Sequence, residues 1–309
     1  IAVGVGMTVV AHPFTYAKVL VQLGHEPLAP VMRRNMFFRK QLQYPSVFAY
    51  IKHINTTDGY VGLYRGLLPR IFANASTSIT YSLFNKVFTT TETNSKCIYN
   101  EDSSNNRYKF PISQTTREMA ARCSAIIISQ PFHVIAIRTM AEFVGHETIY
   151  TNIFTSTAEI YREDGILGFF AGIMPRLASE VITIWLCNLL AHTVNTYVLT
   201  DTVSWNYGWC HQTKQTTVGT TFCKLTFYLR QYTHLVVGYV AQIITYPLSV
   251  TSTVMAASGT RLRAGNPPCM PVYRGWLECL KDLHKTGASN RGSSMFFRKA
   301  AAHLYSASA

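Results

Sequence analysis

The sequence predicts an all-α protein, a membrane-embedded helical bundle made of three tandem copies of one module. Three observations carry this. An apolar segment interrupted by proline recurs at Pro13, Pro131 and Pro247, with spacings of 131 − 13 = 118 and 247 − 131 = 116 residues. Solenoid repeats have periods of roughly 20–50 residues, so a period this long points to a triplicated unit holding about two long elements per copy. Apolar stretches at 1–23, 119–141, 173–199 and 235–257 reach the roughly 20 residues that cross a bilayer. Each also contains Gly, Pro, Ser, Thr or an isolated ionisable group, the pattern of a bundle with a partly polar interior. Finally, 48% apolar residues stand against 15 Asp and Glu in 309. That is charge-poor for a soluble protein of this length and leaves a soluble helical core as the weaker reading.

The net charge of +13 attracts anionic lipid or acidic peptides. The basic residues are scattered through loops and helix ends, without an aromatic-interleaved groove, so nucleic acid is not an expected partner. Cysteines 97, 123, 187, 210, 223, 269 and 279 form no CxxC pair, which reads as free thiols in a reducing compartment. Cys210-His211 lacks neighbours to complete a ligand set, so neither a metal nor another cofactor is expected. No cleavable leader is evident. The chain starts on Ile1 without an initiator Met, so residues upstream are expected and targeting is internal or lies there.

Taken in order, 1–23 is the first crossing, with Pro13 kinking it and Lys18 beyond the kink. Lys18 either snorkels to the interface or faces a polar cavity. Residues 24–30 connect, and Arg33, Arg34, Arg39 and Lys40 form a basic loop. Phe48, Ile51 and Ile54 recur every three residues within 45–57, which suits a short helix along the interface, ended by Asp58-Gly59.

The second crossing, 69–88, is unusually polar. Asn74, Ser76, Thr77, Ser78, Thr80, Ser82 and Asn85 leave a thin apolar stripe of Ile71, Ala75, Ile79, Leu83 and Val87. Such residues pack helices closely or line an aqueous cleft. A polar linker, 91–113, follows and is expected to be an exposed loop beginning as early as Thr89. The third crossing, 114–141, repeats the first, with Pro131 and the ionisable Arg122, His133 and Arg138. A second surface helix at 151–162 closes on Glu163-Asp164-Gly165, and Gly-x-x-Pro-Arg recurs at Gly66 to Arg70 and Gly172 to Arg176.

The fourth crossing, 177–199, carries Glu180 just before the apolar run Val181 to Leu186. A carboxylate in hydrocarbon is costly and normally faces protein, a cavity or a cation. Glu180 is either a boundary residue at headgroup level or inward-facing, with Lys18 or Arg176 as candidate partners. A second polar linker spans 201–230. The fifth crossing, 232–257, contains Pro247, and 273–285 forms the third surface helix. At Arg298, where an even-numbered crossing is due, 309 − 298 = 11 residues remain, fewer than a crossing needs, so either the sequence is cut short or the bundle lacks its sixth helix. The expectation is a single membrane domain, 1–309, built of repeats 1–90, 114–200 and 231–309. Its last repeat is truncated, giving five crossings, short surface helices and a bundle open on one side.

The proline-bearing odd helices with acidic-Gly and aromatic-x-Gly steps resemble the mitochondrial carrier family over nearly the whole chain. More closely, Gly24-His25-Glu26-Pro27, Gln130-Pro131-Phe132-His133-Val134-Ile135, Gly165 to Gly172, Leu186-Cys187-Asn188-Leu189-Leu190-Ala191 and Phe296-Phe297-Arg298-Lys299 look like its outer-membrane homologues. In ordinary carriers each odd helix reads Pro-x-acidic-x-x-basic, and these charges pair to close a gate. Here the acidic positions hold Thr15, His133 and Ser249 and the basic ones Lys18, Ala136 and Ser252. The three ion pairs cannot form, which sets the chain apart from exchangers of metabolites.

The resemblance implies a multi-pass protein of the mitochondrial outer membrane, not an enzyme. The implied activity is insertion of α-helical, notably tail-anchored, client proteins through a laterally open polar groove. Phospholipid scrambling through the same groove and a receptor role for truncated Bid are its alternatives, and metabolite transport is the weakest. The expected groove residues are Lys18, Glu180, Asn74, Ser78, Ser82, Asn85, His133, Arg138 and Arg176.

Overall fold

A computed structural model describes residues 2–34, 40–96, 112–150, 152–193, 217–294 and 298–299. Their elements run α1 (Ala2–Leu23), β1 (Val31–Arg34), β2 (Lys40–Tyr44), α2 (Val47–Gly62), α3 (Leu67–Lys96) and α4 (Ile112–Ala141). There follow α5 (Ile153–Asp164), α6 (Ile173–Thr193), α7 (Thr217–Ala257), α8 (Trp276–Lys285) and β3 (Arg298–Lys299). The chain is mostly helical, as its patterning requires. α1, α3, α4, α6 and α7 have 22, 30, 30, 21 and 41 residues, so even the shortest is about 30 Å long at 1.5 Å per residue. Among the described residues three stretches are, by length and composition, apolar enough to cross a membrane: Thr115–Val144, Ile153–Thr193 and Leu235–Ala257. α1 and α3, expected crossings, are long enough but fall outside that set, because α1 carries His12, Pro13 and Lys18 and α3 its run of Asn, Ser and Thr.

The chain divides into two compact units. The first comprises Ile1–Tyr81, Ser124–Leu177 and Tyr246–Ala309, the second Ser82–Cys123 and Ala178–Thr245. Each unit draws on all three repeats.

In the first unit the α-helix persists through each proline of α1, α4 and α7. The core is formed by Tyr16 and Leu20 of α1, Val134, Ile137 and Met140 of α4, and Val250 and Val254 of α7. The surface helices seal it with Tyr50 and Ile54, Ile160, and Cys279 and Leu283. Repetition shows in the backbone too. Gly59, Gly165 and Gly287 have φ of 73, 66 and 67°, and Gly66, Gly172 and Gly292 have 78, 71 and 78°. The second set marks close approaches. A Cβ on Gly66 would lie 3.1 Å from the Ala136 carbonyl oxygen of α4, and one on Gly172 would lie 2.5 Å from that of Ser252 in α7. On Gly292 it would meet the Tyr246 hydroxyl at 3.2 Å and Gln22 of α1 at 3.3 Å. Each copy thus seats its glycine on the proline-bearing helix of the next, and the third returns to the first.

Four differences from the sequence reading have local causes. The basic loop is a hairpin, β1 against β2 with Val31 opposite Gln43 and Arg34 opposite Lys40. Arg298 does not start a helix. It pairs with Tyr44 in β3, completing a three-stranded sheet. Its buried guanidinium ion-pairs with Glu26, donates to the Pro45 carbonyl oxygen at 3.4 Å, and lies over the rings of Tyr44 and Tyr50 at 5.6 and 5.8 Å. α3 runs to Lys96 and α7 starts at Thr217, so both linkers are shorter than expected, since no proline interrupts 89–96 or 217–230. Asp58-Gly59 interrupts α2 without ending it, since one more turn follows to Gly62. Linker residues 97–111 and 201–216, with Cys210 and His211, lie outside the described residues.

The second unit has a thinner core of Ala121, Ile184, Ala191, Val237 and Ala241. Leu235, Val236, Tyr239, Ile243 and Ile244 of α7 are exposed, an apolar face suited to lipid.

Candidate functional site

Within the second unit, Glu180 on α6 pairs with Arg122 on α4 at 3.1 Å, and Arg122 also holds Glu118, one helical turn earlier, at 3.3 Å. The side chains stay 31%, 45% and 33% exposed, respectively. Two carboxylates thus share one guanidinium on half-exposed helix faces inside an apolar span. The sequence reading offered Lys18 or Arg176 as partners of Glu180, and the structure gives Arg122 instead. Its i, i+4 spacing from Glu118 was the available signal. Around this triad run weaker polar links. Thr183 and Thr245 hydroxyls meet at 2.9 Å, Ser179 donates to the Thr245 carbonyl at 3.5 Å, and Asn188 donates to Thr115 at 3.3 Å.

Within α3, Asn74, Ser78, Ser82 and Asn85 follow steps of four, four and three and so share one face. The first three are exposed and Asn85 is half-buried; Asn74 donates to the Thr8 hydroxyl at 3.1 Å. Ile79, Leu83 and Val87, next to that face, are exposed as well. This helix therefore turns both a polar and an apolar strip outward.

In the first unit, the Lys18 ammonium sits 5.3 Å from the Tyr246 ring centroid, a cation–π contact, and is half-buried rather than snorkelling clear. Arg176 donates to Gln130 Oε1 at 2.7 Å, and the fully buried Gln130 donates to the Ala171 carbonyl at 3.0 Å. His133 is half-buried, at the position where the carrier pattern calls for an acid. Arg70, which sequence reasoning passed over, repeats Arg176 through Gly-x-x-Pro-Arg and is half-buried.

Arg138 departs from its expected place in the groove. Its side chain is 1% exposed and donates to Glu163 at 3.3 Å, Asp164 at 2.8 Å and the Ala256 carbonyl at 3.1 Å. The neighbouring Glu163 also accepts from the Tyr150 hydroxyl at 2.9 Å. An arginine this enclosed by carboxylates ties α4 to α5 and α7, with no surface left to meet a client.

Outside the membrane-crossing stretches, burial pushes the Tyr50 and Tyr273 hydroxyls above the phenol range and the Cys279 thiol up to about 12. Burial also raises the Glu26 carboxyl, against the lowering by the hydrogen bond and charge of Arg298. Where burial outweighs the ion pair, the pair chiefly fixes where β3 docks.

No nucleophile and base come together in these positions. The arrangement is that of a multi-pass helical membrane protein of triplicated design whose spans carry polar groups on outward faces. The sequence matches the family described as mitochondrial carrier protein over residues 1–95 and 111–201, and the chain belongs to that family. It is 39% identical over 303 residues to mitochondrial carrier homolog 2 of Bos taurus, covering 97% of this chain and 93% of that protein. To mitochondrial carrier homolog 1 of Mus musculus it is 38% identical over 299 residues, covering 97% and 76%. A more distant likeness, 24% over 164 residues, links 53% of the chain to 48% of mitochondrial thiamine pyrophosphate carrier 1 of Pyricularia oryzae. The chain is a divergent member of the carrier family, of the homolog 1 and 2 type, and its gate positions show the divergence. Thr15 bonds back to the Ala11 carbonyl at 3.1 Å and Ser252 donates to the Gly172 carbonyl at 2.8 Å, where ion pairs would stand.

Proposed function

We propose that this protein is an insertase of the mitochondrial outer membrane, lowering the barrier for α-helical and especially tail-anchored proteins to enter the bilayer. The observation that carries this reading is the half-exposed Glu118–Arg122–Glu180 triad within apolar spans. The outward polar strip of α3 supports it. A polar flank or loop of an entering helix loses several kcal/mol per unsatisfied group in hydrocarbon, roughly, and polar groups facing outward from the spans offer it substitutes for water. The absent gate pairs argue against alternating-access exchange, and no covalent chemistry is required.

The test is reconstitution of the purified chain into liposomes, with chaperone delivery of a tail-anchored client and protease protection as readout. Protection above protein-free liposomes is expected, and it changes in Glu180→Lys and Lys18→Glu while both variants stay folded. Wild-type insertion in both reversals overturns the groove assignment. Equilibration of labelled lipids without any client protection would replace insertion by phospholipid scrambling. Binding of truncated Bid with neither activity would make the chain a receptor.

A further inference from the structure

The pentapeptide Met-Phe-Phe-Arg-Lys occurs twice in the chain, at 36–40 and at 295–299. Both copies end in one sheet, since Lys40 opens β2 and Arg298–Lys299 forms β3. β3 has only two residues, Arg298 opposite Tyr44 and Lys299 opposite Gln43. A ladder that short carries little stability of its own, so the Arg298 side chain is what seats it. The residue is 7% exposed, and its guanidinium enters a cage built 250 and more residues away in sequence, where Glu26 supplies a carboxylate and Pro45 a carbonyl oxygen. The Tyr44 and Tyr50 rings flank it. Tyr50 is itself held, because its hydroxyl donates to the His25 carbonyl at 3.1 Å. A carboxylate, a carbonyl and two ring faces around a planar fork favour arginine over lysine.

The chain's own strand fills this place incompletely. Glu26 Oε2 and Gln43 Nε2 are buried without a hydrogen-bond partner among the described residues. Gln43 is 3% exposed and lies directly opposite Lys299. Buried polar atoms left unpaired cost stability, and both of these lie where β3 docks. A donor aimed at Glu26 and an acceptor aimed at Gln43 would complete the cage. An extended segment that pairs with β2 over more residues than β3 does, and that brings an arginine, offers both.

We propose that the side of β2 covered by β3, with the cage of Glu26, Tyr44 and Tyr50, is a docking site for an extended, arginine-bearing peptide segment, and that Arg298–Lys299 occupies it as an internal ligand which such a segment displaces. The incoming segment adds a strand to the sheet, its main chain pairing with β2 for affinity and its arginine filling the cage for selectivity. The bound sequence in the structure states the ligand's chemistry, and its second occurrence at the mouth of β2 states it again. The site does not depend on the insertase reading, because occupancy is measured without a client or a bilayer.

Fluorescence anisotropy of a labelled peptide with the sequence of residues 294–300, titrated with the full chain in uncharged detergent, tests this. The Arg298→Ala chain, its cage emptied, should bind the peptide saturably. The wild-type chain should bind it about tenfold or more weakly, because its own tethered strand competes at high effective concentration. A peptide carrying Arg298→Lys should bind the emptied chain about tenfold more weakly, having lost the fork. Adding Glu26→Gln to the Arg298→Ala chain should weaken the unaltered peptide similarly. Should Arg298→Ala fail to fold, amide hydrogen exchange of the wild-type chain decides: saturating peptide should speed exchange at 298–299 while 40–44 stay protected. No saturable binding to a folded Arg298→Ala chain, equal binding of the arginine and lysine peptides, or exchange at 298–299 that the peptide leaves unchanged overturns the proposal.

Discussion

Replacing Arg138 by Gln isolates what the buried ion cluster contributes to the fold. The change removes the cation from Glu163, whose side chain is 5% exposed. Breaking one partner of a buried pair costs about 3–5 kcal/mol, because the remaining charge stays desolvated. Three features place this case at the low end. The Tyr150 hydroxyl goes on donating to Glu163, Arg261 keeps its ion pair with Glu163 at 3.7 Å, and Asp164, 37% exposed, rehydrates. A loss of about 3 kcal/mol lowers the unfolding temperature by roughly 6 °C in a chain of this length. Purified protein in detergent, heated while tryptophan fluorescence is recorded, gives that number. The double variant Arg138→Met, Glu163→Gln removes cation and buried charge together and should recover more than half of the loss. An Arg138→Gln protein that unfolds within about 1 °C of wild type, or a double variant no better than the single one, refutes the argument that the buried carboxylate's loss of Arg138 is the cost.

The two glycines of the second repeat should separate cleanly. Gly165→Ala meets open space and pays only for its backbone region (φ 66°, ψ −153°), about 1–3 kcal/mol, whereas Gly172→Ala drives a methyl to 2.5 Å from the Ser252 oxygen and should abolish folding, as size-exclusion profiles would show. Alkali should also unfold the protein. Cys279, Tyr50 and Tyr273 are held neutral above their ordinary ranges, so their contribution is complete below about pH 9 and is lost as pH rises toward 12. Circular dichroism across that window tests the sign. In the folded protein at pH 8, iodoacetamide should modify the exposed Cys269 and spare Cys279, whose thiolate is scarce; peptide mass spectrometry reads both. Exchanging the charges as Arg122→Glu with Glu180→Arg should restore more client insertion than either single reversal, since the 3.1 Å pair is re-formed. Additive losses in that cycle would deny the coupling.

The triplication, the proline-bearing helices and the surface helices could be read in the sequence because they are local. Proline spacing, a period of apolar residues and acidic-Gly steps each act within a few residues of the chain. The polar strip of α3 was equally legible, being a matter of helical phase, and so were the lost gate charges, which are substitutions at fixed offsets from Pro13, Pro131 and Pro247. Partnership was not legible. Nothing in sequence separation tells Glu180, 58 residues from Arg122, to choose it over Lys18 or Arg176. Nor does it send Arg138 into a carboxylate cluster, or fold Arg298 back 272 residues to Glu26 as a strand. Burial and ion pairing depend on which helix faces pack together, and packing is set by the whole unit at once. The sequence by itself determined where helices form and which charges they carry; the tertiary structure decided which partners those charges meet, because that depends on which helix faces pack together.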